Sequence, residues 1–242
     1  MAIGAGKNET TGSASATAEG GLLETVARIV QLGGETARAD AVTRLREAFA
    51  ARTGAFAPDD GWFEERIKAF WGHAVTAGRL GRLVEDQLSE VQRGWLGPLE
   101  RAHRGLFKMG GQDGELLVDI WSGVELEVQT MDDASHAELE AGAGLLFDGR
   151  VVGADDPFTV ALLPGAVFHP RDATPCVEPV LAAARSRGLS TNDTLDALLR
   201  MHRALRSLSR VKATYAYRPE ALSPQAPVLP HAVVRRVPRG PT

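Results

Sequence analysis

The stretch that most limits the fold runs over residues 115–170. Val124, Leu126 and Val128 alternate there with Glu125, Glu127 and Gln129. A period of two gives a strand one apolar face and one wet face. Leu116, Val118 and Ile120 form a matching stripe upstream. Ser122-Gly123 stands between the two runs, where a tight hairpin turn belongs. Residues 145–152 and 158–163 supply a second pair of runs, and Pro164-Gly165 turns the chain into Ala166, Val167 and Phe168. Leu106 to Met109 offers a further strand ahead of them. A set of about five short strands fits a small antiparallel β-barrel-like unit, which limits exposed edges. The acidic excursion over residues 131–143 has room for a short helix.

Helical spacing flanks this unit on both sides. Leu22, Leu23, Val26, Ile29 and Val30 recur at a helical period, and Gly33-Gly34 ends the run. A second helix is predicted over residues 36–52, with Val42, Leu45 and Phe49 on one face. A third starts at Ala57-Pro58-Asp59-Asp60 and carries Phe63, Ile67, Phe70 and Trp71. A fourth runs from Leu80 into the 90s, with Leu83, Leu88 and Val91. Trp62, Trp71 and Trp95 are expected in the core of this half. After the β unit, an Ala-rich helix covers residues 173–187, with Pro179 as an alternative start. Ser190 then caps the helix that carries Leu198, Met201, Leu205 and Leu208 as far as Lys212. The predicted fold is α+β: a helical N-terminal half, the β-barrel-like unit, then C-terminal helices. By residue, 1–20 are too poor in apolar side chains to order. Residues 21–104 form the helical domain and 105–170 the β unit. Residues 171–218 form a helical segment packing on that unit, and 219–242 a Pro-rich basic tail.

Net charge is −4, and it is unevenly spread. Residues 112–170 hold twelve acids against one base, Arg150, while residues 200–242 hold nine Arg or Lys against one acid, Glu220. Such segregation speaks of partners and packing rather than of fold. A single cysteine, Cys176, excludes an intramolecular disulfide. With no apolar leader it points to a reducing compartment, the cytoplasm. No run reaches the ~20 apolar residues of a membrane helix.

Catalytic and cofactor signals are weak throughout. Gly4-Ala5-Gly6-Lys7 lacks the first glycine and the Ser/Thr of a phosphate loop. Cys176 near a helix start, with His169 and Asp172 close by, has the residue types of a nucleophile, but packing against alanines explains it better. Asp132, Asp133, His136, Glu138 and Glu140 lack metal-ligand spacing. Asp119, Asp148, Asp155 and Asp156 have no defined separation of the kind paired carboxylates need. No cofactor or metal is expected.

An OB-like sheet would bind nucleic acid through basic and aromatic residues. The acidic charge of this β unit opposes that. Phosphate contact is more plausible in residues 200–239, where basic side chains accompany Tyr215 and Tyr217. The expected function is a non-enzymatic adaptor or regulatory protein working through contacts with a protein partner, with nucleic-acid association through residues 200–239 as the first alternative and an enzyme of unrecognised type as the second. The candidate contact residues are Arg203, Arg206, Arg210, Lys212, Arg218, Arg235 and Arg236 on the basic side, and Glu125, Glu127 and Asp148 on the acidic side. The basic helix either covers the acidic face within the chain or leaves both surfaces to a partner.

Overall fold

The alternation in residues 115–170 is realised as strands that close on themselves. A computed structural model describes residues 12–110, 116–130, 133–153, 159–208, 211–224 and 228. Its strands are β1 (His103–Gly110), β2 (Leu116–Asp119), β3 (Glu125–Thr130), β4 (Leu146–Gly153), β5 (Thr159–Leu162) and β6 (Val167–Phe168). They are ordered β1-β2-β3-β5-β4, and β4 pairs back with β1 to complete a five-stranded ring; β6 adds to β4. The pairing of β3 with β5 is parallel and the others are antiparallel. The expectation of a wholly antiparallel unit is corrected here for a simple reason. Strand directions cannot alternate all the way round a ring with an odd number of members. The result is a small Greek-key barrel, OB-like in its strand order.

Register carries Leu126 inward from the β3 stripe, but in β2 the inward residue is Leu117. The expected stripe of Leu116, Val118 and Ile120 falls on the outer side, because Leu116 and Val118 pair with Glu127 and Glu125. Leu117 stands opposite Leu126, and Phe107 opposite Phe147. These four, with Val151, Val160 and Leu162, fill the barrel, and Leu139 from helix α7 (Asp133–Ala141) joins them. The β2–β3 turn falls at Ser122-Gly123 as expected. Asp119 fixes it by accepting from the Trp121 N–H and the Ser122 hydroxyl, while Gly123 takes φ +75°.

The N-terminal helices are α1 (Gly12–Gly33), α2 (Ala39–Thr53), α3 (Phe63–Val75), α4 (Leu80–Leu83), α5 (Glu90–Gly94) and α6 (Leu96–Glu100). α1 therefore begins inside the stretch expected to lack structure, and residues 1–11 lie outside the described ones. α3 starts later than its sequence suggests, because the Asp60 carboxylate captures the Ala57 N–H and holds a turn ahead of it. The single helix expected from Leu80 into the 90s is instead three short pieces. Ser89 and Gln92 form a capping box that starts a new helix at Glu90. Leu83 and Val91 are 51% and 69% exposed, so the assumed stripe is not a buried face.

Leu22, Ile29, Leu32, Phe49, Phe70, Leu80 and Leu99 build the first core. Trp62, Trp71 and Trp95 pack partly buried against it. Val152, Leu163 and Val167, from the barrel and its last turn, belong to the same cluster. Helices and barrel are thus continuous in packing. A second core joins α8 (Thr174–Ser186) and α9 (Thr191–Arg206) to Leu106 and Leu146 on the barrel's outer side. Pro179 lies within α8 and does not start it. Ser190 caps α9 by accepting the Asp193 N–H, and α9 stops at Arg206, short of the expected Lys212. The chain then folds back: Ala213, Ala216, Tyr217, Ala221 and Leu222 are buried in this second core. No helix among the described residues is long and apolar enough to cross a membrane.

Gly165 sets the turn into β6. Its φ is +106°, and an added Cβ would meet the Lys68 carbonyl oxygen at 2.7 Å. Backbone cannot yield as a flexible side chain can. Gly165→Ala is expected to lower folding stability by about 2 to 3 kcal/mol. Urea unfolding of the variant measures it, and an unchanged midpoint would contradict this account of the turn.

Candidate functional site

Alternation along β4 places Phe147 and Val151 inside the barrel and Asp148 and Arg150 outside. Register then sets Arg150 directly opposite Arg104 of β1, and Asp148 opposite Leu106. This outer face is not wet. Asp148 is 3% and Arg150 6% exposed. Their polar environment comes from one another and from α2, α3 and α9.

Arg104 is the hinge of the arrangement. Its Nε and Nη2 donate to both Asp148 oxygens at 3.0 and 2.6 Å, and its Nη1 donates to Asp196 of α9 at 2.7 Å. Arg52 of α2 donates to the other Asp196 oxygen at 3.1 Å and, through Nη2, to His73 of α3 at 3.1 Å. Arg66 of α3 is fully buried. It donates to the Thr53 carbonyl and hydroxyl, each at 2.8 Å, and stacks over Phe49 and Phe56. A polar extension follows. His169 hydrogen-bonds the Tyr217 hydroxyl at 2.7 Å, its ring stands perpendicular to that of His202, and His202 faces Glu65 at 3.9 Å.

Electrostatics sort these groups. Burial favours the neutral form of each histidine, and neighbouring arginines add to it for His73, so His73 falls to about 3. Burial alone takes His169 to about 4, with Asp148 opposing weakly. His202 is pushed down by burial, then by His169 and Arg66. Burial lowers Arg66 and Arg150 to about 10, which leaves both charged at neutral pH. Burial would also raise Asp148, but Arg104 outweighs it and holds that carboxyl below the usual carboxylate range. The junction is an ionic weld between helices and barrel. Its pairings are charge-assisted and, at Asp148, bidentate.

The residues singled out in the sequence are distributed differently. Asp148 belongs to this junction and is withdrawn from any surface contact. Of the two arrangements left open by the sequence, cover of the acidic barrel by the basic side chains of the helix is not seen among the described residues. α9 meets β1 through its own acid, Asp196. Arg206 instead faces Glu65 at 3.7 Å, and Arg203 packs against Gly54 with a buried Nε. Arg218 donates to the Val228 carbonyl. Lys212 is exposed, while Arg210, Arg235 and Arg236 lie outside the described residues.

Glu125 and Glu127 remain on the surface. They point out of β3, opposite Val118 and Leu116 of β2, and make no ion pair among the described residues. Val124 beside them is 41% exposed. The hairpin that presents them is anchored from below by Arg185 of α8, which donates to the Ile120 and Trp121 carbonyls and stacks on the Trp121 ring at 4.9 Å.

The chemistry-bearing candidates find other roles. Burial and Asp172 push the Cys176 thiol up, away from a reactive thiolate, and His169 is turned to Tyr217 rather than to Cys176. Asp119 is spent on its turn, and Asp155 and Asp156 lie outside the described residues. Among the described residues no three His, Cys, Asp or Glu are grouped to hold a metal ion. An apolar groove of about 370 Å³ runs between α1 and α3, lined by Val26, Val30, Trp71, Val75, Leu163 and Pro164.

Arg52, Arg66, Arg104, Arg150 and Asp196 were not identified from sequence. Two signals pointed to them. Arg66 interrupts the Phe63–Ile67–Phe70 stripe, and Arg150 is the single base within a strongly acidic stretch. No family model matches the chain, and neither does any curated protein or solved structure.

Proposed function

We propose that the protein is a non-enzymatic, cytoplasmic adaptor that docks a basic segment of a protein partner on the outer face of β2 and β3. One observation carries the reading: Glu125 and Glu127 stand exposed and unpaired among the described residues, on a rigid hairpin, beside Leu116, Val118 and Val124. Acids edged by apolar side chains suit a basic, partly apolar strand or helix, with charge setting orientation and on-rate. The barrel's order is one in which the second and third strands serve as a binding face. Its acids there favour a basic polypeptide over a phosphate backbone. The basic residues of α9 support the same conclusion, since Arg200 and Arg206 are engaged within the chain.

The test is capture of partners from the organism's own lysate on wild type and on an E125K/E127K variant. Charge reversal is expected to weaken retention by about tenfold or more, with retention falling as salt rises. Folding stability should move by less than about 0.5 kcal/mol. Equal retention by the variant would sink the reading, and capture of nucleic acid alone would return attention to residues 200–239.

A further inference from the structure

The ionic junction holds more guanidinium charge than its carboxylates can use. Arg52, Arg66, Arg104 and Arg150 surround Asp148 and Asp196. All four carboxylate oxygens already accept from Arg104 or Arg52. Arg150 is 6% exposed, yet its guanidinium makes no ion pair and no hydrogen bond among the described residues. Its Nη1 lies against Gly72 of α3, at 3.4 Å from where a side chain would begin. Among the described residues Arg66 has only neutral acceptors, and its Nε and Nη1 have no hydrogen-bond partner. The nearby histidines are neutral and offset nothing. Four guanidinium groups thus face two carboxylates, and folded proteins ordinarily meet such a buried excess of positive charge with an anion.

The cluster also has a way in. The Arg52 side chain is 44% exposed, and it holds His73, itself only partly buried, at the solvent side of the junction. Geometry gathers the three arginines: Arg52 reaches His73 at 3.1 Å, Arg52 and Arg104 hold the two oxygens of Asp196, and Arg150 stands opposite Arg104 across the β1–β4 pair. Forked donors converging from separate elements match a tetrahedral oxyanion better than a single carboxylate.

We infer that Arg52, Arg104 and Arg150, with His73 at the mouth, form a binding site for a small oxyanion of the phosphate class. The site shares no residue with the acidic face of β2 and β3. Because Arg52 comes from α2, His73 from α3 and the other two from the barrel, an anion there would tie helices and barrel together. Occupancy would therefore be read as stability of the whole chain.

Thermal unfolding of the full chain in inorganic phosphate, against chloride at equal ionic strength, tests this. The midpoint of the wild type should rise by several degrees at millimolar phosphate. R150M should lose that response, and R82M, at an exposed arginine outside the junction, should keep it. The His73 ring signals should shift on adding phosphate, while those of exposed His136 stay in place. An absent response in the wild type, a full response in R150M, or a response to succinate but not phosphate would each overturn the assignment. Should R150M fail to fold, the His73 signals decide alone, and unmoved signals would overturn it.

Discussion

Replacing Arg104 with methionine is expected to destabilise the fold by about 3 to 5 kcal/mol. The side chain is 8% exposed and, among the described residues, is the one cation that touches both Asp148 and Asp196. Methionine keeps the apolar stem but not the guanidinium, and leaves Asp148 without a close counter-charge in a nearly dry interior. Arg150 does not replace it, since it reaches neither carboxylate at ion-pair distance. Asp196 fares better, because Arg52 still holds its second oxygen at 3.1 Å. Most of the loss should therefore trace to Asp148. A double variant, R104M/D148N, is expected to be more stable than R104M alone, since the orphaned charge is removed with its partner. Urea unfolding of the set measures this. If R104M lies within about 1 kcal/mol of wild type, the junction is not the weld described here.

Acidification is expected to produce the second large effect, beginning well above the carboxylate range. His73, His169 and His202 are all lowered by burial, two of them to about 3 and about 4. A lowered value in the folded state means that the unfolded chain takes up the proton first. Stability is then complete above about 6.5, the ordinary histidine value, and is lost as pH falls towards the folded values. At pH 5 the loss from His169 is about 2 kcal/mol. His202 adds in the same direction, and the less buried His73 adds a smaller share. Asp148 joins only at still lower pH, because its own carboxyl is held below the usual range by Arg104. Urea midpoints at pH 7 and pH 5 should differ strongly, and H169N/H202N should flatten the dependence even if it begins from a lower stability. A flat profile in the wild type would contradict the burial of these rings as neutral groups.

The barrel was legible because its cause is local. Val124, Leu126 and Val128 alternate with acids, and Ser122-Gly123 supplies a turn that Asp119 can hold. The Ser190 cap of α9 is equally local, a side chain three residues from the N–H it satisfies. The broken helix after Leu80 was not legible. Leu80, Val84 and Leu88 keep a helical spacing that continues the apparent run, and only the capping box of Ser89 and Gln92, overlooked beneath the apolar pattern, marks the break. Asp148 shows the deeper difficulty. Alternation in β4 correctly predicts that it points out of the barrel, but nothing local says that α2, α3 and α9 will cover that side. Its partner comes from 44 residues away, and the Arg104–Asp196 and Arg52–Asp196 pairs span 92 and 144 residues. Counting charge by segment therefore found the asymmetry but misassigned its use. The basic helix meets the barrel through an acid, and the acidic unit meets the helices through two arginines.

That exchange leaves Glu125 and Glu127 exposed on the outer face of β3, and their role can be read directly. A photo-crosslinking residue placed at Glu127, and separately at Lys212, would be irradiated with the captured partner present. Products from position 127 and none from 212 are predicted. Products from 212 alone would contradict docking on the barrel and move the contact to the basic C-terminal segment.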